Sequence, residues 1–319
     1  MVSIIARSYQ TGTPGGPTLA TARRCDDDAA GWPMALGWVM AAASLSGIRF
    51  ERVSARVIVA LGPVDGERAA SNSTIVIGND ATLVVDTMIS PTLIAPVKAE
   101  AESSGGRPVA YVYNTHGDPD HLLGNGLFEQ AQVVAHARVA ELLADPERRA
   151  AYQKRLGDAG VALRGPDTTF DKTFDLDLGG LTVHAKYVGP AHSVADTVLW
   201  LPEERVYVAA DTVFNGLFPL VREDLANWFA ALAHGTELDP KFVVPGHGPV
   251  GDAATLAWQR DVLERVHDAV RSLYGGGVPL DEAVHAPVPA DLQLPLAAER
   301  WPGAVKGIYQ VLDHASAVS

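Results

Sequence analysis

Between Tyr113 and Gly124 the chain reads YNTHGDPDHLLG, with His116, Asp118, Asp120 and His121 inside six consecutive positions. Three further segments carry one ligand-type residue each: His192 in GPAHSVADT, Asp211 in VYVAADTVFNG and His247 in VVPGHGPV. Imidazole nitrogen and carboxylate oxygen bind first-row divalent metals. Two such ions about 3.5–4 Å apart can share a bridging water, whose pKa falls to about 7 and which becomes hydroxide near neutrality. In an extended loop alternate residues point the same way. His116 and Asp118 would then face one ion, leaving Asp120 and His121 to turn toward a second. Glycines at 117, 124, 189, 246 and 248 permit tight turns beside such ions.

Positioning these groups falls to apolar, β-branched runs that end just before each of them. RVSARVIVALG alternates and reads as a strand from Arg52. STIVIGND and ATLVVDT follow as a hairpin turning at Gly78-Asn79-Asp80. SPTLIAPVKAEAES reads as a helix with Ser90 as N-cap and Pro91 at its first position. RPVAYVYN and AQVVAH are short strands, and residues 136–158 read as helix. Further strands are expected near 168–175, 181–188, 196–201 and 205–210, then a helix near 222–234, a strand in KFVVPGHGPVG and helices from 251 onward. Strands thus come in two batches, one before residue 160 and one after it, each followed by helix. That order suits two sheets packed face to face with helices outside, an α/β four-layer αβ/βα sandwich.

The four ordered segments resemble the metallo-β-lactamase superfamily, whose motif is His-x-His-x-Asp-His after a strand, then Gly-x-x-His, an Asp and a late Gly-His-Gly. The resemblance runs from about Ser54 to Gly248. It implies the αβ/βα fold and two divalent metal ions, expected to be zinc. By that resemblance His116 and His192 go to the first ion, Asp120, His121 and His247 to the second, and Asp211 bridges both. Asp120 would also orient the water and accept its proton. Asp86, closing ATLVVDT, would brace the metal loop from behind. Asp118 is the departure, since it stands where the family has histidine. An acid there adds charge and a harder donor, favouring iron or manganese at the first site; flavodiiron proteins show a similar change with glutamate. If Asp118 is not a ligand, it points to solvent or braces Asn114 and Gly124.

The remaining titratable groups read as structural. His136 and His184 fall at strand positions, His234 closes a helix, and His267, His285 and His314 lie in late helical regions. Tyr187 reads as core packing. Cys25, the single cysteine, has acids as neighbours, which disfavour a thiolate, and no disulfide is available to it.

A chain of 319 residues with a formal charge of -13 has no basic field for nucleic acid or an anionic membrane surface. Residues 48–319 read as one domain and 1–47 as an N-terminal extension, partly helical or poorly ordered. The uncharged stretch at 29–48 has the length of a membrane span but carries Pro33 and follows three aspartates, so it resembles neither a span nor a secretory signal. The extension is expected to pack on the domain or between subunits, which a homodimer would use, and the protein is expected to be cytoplasmic.

The expected activity is hydrolysis of a small-molecule ester, thioester or lactone by a metal-bridging hydroxide. Two alternatives remain open: a polyketide cyclase/thioesterase or lyase of secondary metabolism on the same site, and an iron-dependent oxidoreductase, suggested by Asp118 alone. Nucleases of the superfamily carry insertions that this length does not supply. Exported β-lactamases carry signals that the N-terminus does not resemble.

Overall fold

The computed structural model describes residues 47–64, 69–157, 160–223 and 225–318. The expected extension at 1–47 lies outside the described residues, except for Gly47. Seven strands form the first sheet in sequence order: β1 (Arg49–Arg52), β2 (Val57–Leu61), β3 (Ser73–Ile77), β4 (Thr82–Val85), β5 (Tyr111–Asn114), β6 (Gln132–His136) and β7 (Thr168–Phe170). The first four are antiparallel, and β4 through β7 run parallel. The second sheet contains β8 (Thr173–Asp177), β9 (Thr182–Tyr187), β10 (Thr197–Leu201), β11 (Val206–Phe214) and β12 (Phe242–His247), in the order β12-β11-β10-β9-β8. Only β11 and β12 pair in parallel there. The helices are α1 (Pro91–Gly105), α2 (Pro119–Leu122), α3 (Ala137–Ala144), α4 (Pro146–Leu156), α5 (Leu225–Glu237), α6 (Ala253–Gly275), α7 (Leu280–Ala283) and α8 (Ala297–Val318).

Side-chain alternation builds the layers. In β2, Val57, Val59 and Leu61 face the other sheet and meet Val183, Leu199 and Val208 in the central core. The alternate residues Ile58 and Ala60 face outward onto Leu93, Ile94 and Val97 of α1. On the far side, Tyr207, Ala209 and Val243 of the second sheet are covered by Trp228 of α5, Val262 and Val266 of α6 and Trp301 and Val305 of α8. Burying each such branched or aromatic side chain contributes about 1.5–3 kcal/mol, so both faces of both sheets are held. The result is the four-layer αβ/βα sandwich.

Three local expectations are corrected. The run from Arg52 is the end of one strand and the start of the next. The turn between them is held by Ser54 Oγ, which accepts hydrogen bonds from the backbone N–H of Arg56 and Val57. The stretch at 168–175 is two strands in different sheets: Phe170 pairs with His136 of β6, whereas Thr173 pairs with Lys186 of β9. The chain therefore crosses between sheets at 171–172, not at 160. The helical region 136–158 breaks at Asp145-Pro146, where Asp145 caps α4 by accepting from Arg148 N and proline cannot continue the preceding helix. No described helix is long and apolar enough to cross a membrane.

Candidate metal centre

The carboxyl ends of parallel strands β4, β5, β11 and β12 gather at one rim of the sandwich, the place where α/β sheets present ligands. Asp86 directly follows β4 with its backbone in the left-handed region (φ 59°), a conformation aspartate tolerates better than most residues. Its carboxylate accepts from Thr115 N and Thr115 Oγ1, both at 2.8 Å, and lies 2.8 Å from His121 Nδ1. An ionised carboxylate only accepts. Nδ1 of His121 therefore carries a proton, and Nε2 turns into the rim.

The loop between Asn114 and Asn125 is tied down at several points. Asn114 Nδ2 donates to His121 O at 2.9 Å, Asn114 and Asn125 bond each other, and Thr87 N donates to His121 O. Ser71 Oγ donates to Asp120 O, and Tyr152 OH to Gly117 O. Thr197 N, from the second sheet, donates to Thr115 O. Pro119 opens α2, so Asp120 and His121 occupy one helical turn rather than an extended loop.

His192 lies in the β9–β10 loop, which Asp196 organises by accepting from Ala191 N, Ser193 N and Ser193 Oγ. His192 Nδ1 lies 2.9 Å from Leu220 O, so it is the protonated nitrogen and Nε2 is free to accept. Asp211 follows Ala210, whose φ of 47° accompanies a register shift in β11. His247 ends β12, with its ring stacked on Phe214 at 5.4 Å. Asn72 Nδ2 bonds Pro245 O and Gly248 O, holding that end of the strand.

The seven ligand-type residues converge. Asp211 lies within reach of all four imidazole Nε2 atoms: His121 at 3.2 Å, His192 at 3.3 Å, His247 at 3.5 Å and His116 at 3.9 Å. Asp120 Oδ2 is 3.3 Å from His247 Nε2 and 3.7 Å from His121 Nε2. Asp118 Oδ2 is 3.3 Å from His192 Nε2 and 3.7 Å from His116 Nε2. Two of the ligand-type triads are His116–Asp118–His192 and Asp120–His121–His247.

Buried His116 Nε2, His121 Nε2 and Asp211 Oδ1 have no hydrogen-bond partner. The His121 and Asp211 atoms are 3.2 Å apart, so without a positive charge between them two lone pairs face each other, and a buried polar atom without a partner is costly. Divalent metal is the partner that such buried nitrogen and oxygen donors suit, so the donor set fits a metal. Electrostatics agree. Burial alone would lower the histidine pKa values, but the carboxylates Asp211, Asp86 and Asp120 raise His121 well above the imidazole range. Asp211 and Asp120 likewise raise His247 to about 9. Burial alone would raise the Asp211 carboxyl, but His121, His247 and His192 hold it well below the carboxylate range. The rim demands positive charge.

One residue in this cluster escaped the sequence reading. Arg222, in the segment before α5, places Nη2 2.6 Å from Asp118 Oδ2 and 2.5 Å from His192 Nε2. Its Nη1 is 3.4 Å from Asp118 Oδ1, and its Nε is 3.3 Å from His192 O. Asp118 therefore neither points to solvent nor braces Asn114 and Gly124. Burial would raise its carboxyl, but Arg222 first, then His116 and His192, hold it well below the usual range. The other groups behave structurally. Tyr187 stacks on His136 and donates to Val194 O, His136 lies 2.8 Å from Asp171 O, and exposed His184 pairs with Asp175.

The family model of the metallo-beta-lactamase superfamily matches residues 66–247. A metallo-beta-lactamase type 2 from Bacillus cereus is 24% identical over 214 residues, 64% of this chain and 77% of that one. The alpha subunit of the 2,4-dinitroanisole O-demethylase of Nocardioides sp. (strain JS1661) is 29% identical over 175 residues, 53% of this chain and 50% of the subunit. Among solved structures, a metallo-beta-lactamase from Pontibacter korlensis superposes with a TM-score of 0.57 at 21% identity. That superposition covers 68% of this chain and 99% of the other, a likeness of fold.

Proposed function

The chain belongs to the metallo-beta-lactamase superfamily, and from that premise we propose that it is a metal-dependent hydrolase of a small-molecule ester, thioester or lactone. The observation that carries this reading is the set of buried, unpartnered donor atoms on His116, His121 and Asp211, converging on one point of the rim. A zinc-class divalent ion held there supplies Lewis acidity, which polarises a carbonyl and makes water nucleophilic near neutral pH.

The chain's own residues do the rest. Asp86 and Leu220 O fix the tautomers of His121 and His192, so that both present Nε2 inward. Asp120, whose side chain keeps 19% exposure, reaches the cleft and is placed to take a proton from the attacking water at Oδ2. The Arg222 guanidinium, 32% exposed, presents positive charge beside the same cleft, where an anionic oxygen develops during acyl transfer. The acidic net charge supports a small substrate over nucleic acid.

The test is a substrate panel on the metal-loaded protein: a p-nitrophenyl ester, an acyl thioester, a γ-lactone, a cephalosporin, 2,4-dinitroanisole and a phosphodiester. The β-lactam and the aryl ether are included because relatives act on such compounds by name. Acyl turnover that chelation abolishes and metal restores is expected. Turnover confined to the phosphodiester or the aryl ether would refute the acyl reading.

A further inference from the structure

The two halves of the donor cluster are not equivalent. On one side, Asp120, His121 and His247 face the shared Asp211, and among the described residues no lysine or arginine is bonded to Asp120 or Asp211. On the other, Arg222 Nη2 already lies 2.6 Å from Asp118 Oδ2 and 2.5 Å from His192 Nε2. His121 Nε2 and Asp211 Oδ1 are left without partners, as is His116 Nε2, whereas His192 Nε2 and the Asp118 carboxylate, the other two donors of the Arg222 side, have theirs.

We infer that Arg222 stands in the place of a second metal: the chain holds one divalent ion, on Asp120, His121 and His247 beside Asp211, and the guanidinium supplies the other positive charge through Asp118 and His192. This rests on the metal-dependent reading above and specifies how many ions that site takes.

Three features argue for it. First, an ion ligated by His116, Asp118 and His192 needs each donor at about 2.0–2.2 Å. Arg222 Nη2 already contacts two of those three donors, and the single lone pair of His192 Nε2 cannot serve a metal and an N–H at once. Second, the pair is built rather than incidental. Arginine presents a planar fork that suits a carboxylate and stays charged at any physiological pH. The segment that carries it also holds the His192 ring, since Leu220 O is the partner of His192 Nδ1. Third, the charges match. Asp118 brings a negative charge that a neutral ligand would not, and Arg222 cancels it inside the cluster. The same pairing weakens the case for a hard-metal site at Asp118, because the carboxylate charge is already offset by the guanidinium.

The experiment is a metal count on the full-length protein, saturated with zinc, passed through a desalting column and analysed by plasma mass spectrometry. Wild type is expected to retain about one ion per chain, and Arg222→Ala about two. Asp118→His alone stays near one, because the guanidinium remains beside His192. Asp118→His combined with Arg222→Ala reaches two, and it removes both buried charges together, which protects the fold against an unpaired carboxylate. Two ions retained equally in wild type would overturn the inference. So would a count that stays at one when Arg222 is replaced in both backgrounds. A wild type that retains no metal would instead refute the metal-dependent reading itself, a result distinct from either. His247→Ala identifies the resident site, since it is expected to lose the single ion and would be silent if the ion sat with Asp118.

Discussion

Gly246 and Asp211 meet with no room between them: a β-carbon at 246 would lie 1.8 Å from Asp211 Oδ1. The glycine therefore sets the position of the carboxylate that faces all four imidazoles. Gly246→Ala must push Asp211 aside by an ångström or more, and a misplacement of about that size costs roughly 100-fold in rate. The expected outcome is a loss of metal affinity and of turnover in a protein whose circular dichroism is unchanged. Full metal retention in this variant would show that Asp211 is not held by that contact.

Asp86 acts through His121. Removing it leaves the imidazole without the carboxylate that fixes its tautomer and frees Thr115 N and Oγ1. Outer partners of this kind are worth about 10–100-fold in metal affinity. Asp86→Ala is expected to lose affinity by that factor, while Asp86→Asn, which keeps an acceptor oxygen, loses less. Competition titration with a zinc chelator reads both, and equal affinities in the three proteins would separate Asp86 from the metal.

The metal-free protein should lose stability as alkali is added. His247 is raised from 6.5 to about 9, and His121 and His116 are raised too. A group raised on folding stabilises fully below its unfolded pKa and loses that contribution as pH climbs through its folded one. The melting temperature of the metal-free form is therefore expected to fall between pH 6.5 and about 9, by about 5 °C or more. Bound metal keeps the imidazoles deprotonated, so the loaded form lacks this slope and metal uptake below pH 9 releases protons. Thermal melts across that range, with and without zinc, measure both effects.

Much of this site could be read from the chain because each ligand-type residue follows a β-branched run, and strand ends of one rim are neighbours in space. Arg222 was not legible for the opposite reason. It lies 104 residues from Asp118, alone in FPLVRED, and only the folded β11 and its following segment bring the two together. The left-handed backbones at Asp86 and Ala210 leave no compositional trace, since neither residue is glycine. The crossing between sheets at 171–172 was hidden because β7 and β8 belong to different sheets yet read as one alternating run. The break at Asp145-Pro146 does carry a local signal in the chain, a capping aspartate followed by proline.

His121→Ala and Asp211→Ala remove donors from the centre of the cluster, where the unpartnered atoms lie. Each is expected to abolish turnover, with kcat/KM reduced by at least about 1000-fold, and to lower the bound metal. Activity at the wild-type level in both would mean that the chemistry occurs elsewhere.

Asp120→Asn separates holding a cation from moving a proton. Asparagine keeps an oxygen toward His121 and His247 but has no basicity with which to accept a proton. General-base catalysis contributes about 100- to 10,000-fold, so kcat is expected to fall within that span while most of the metal stays bound. The acid limb of the pH–rate profile, where a carboxylate must ionise, should vanish with it. If metal and activity disappear together, Asp120 is a ligand only and the proton leaves by another group. If neither changes, the carboxylate is idle despite lying 3.3 Å from His247 Nε2.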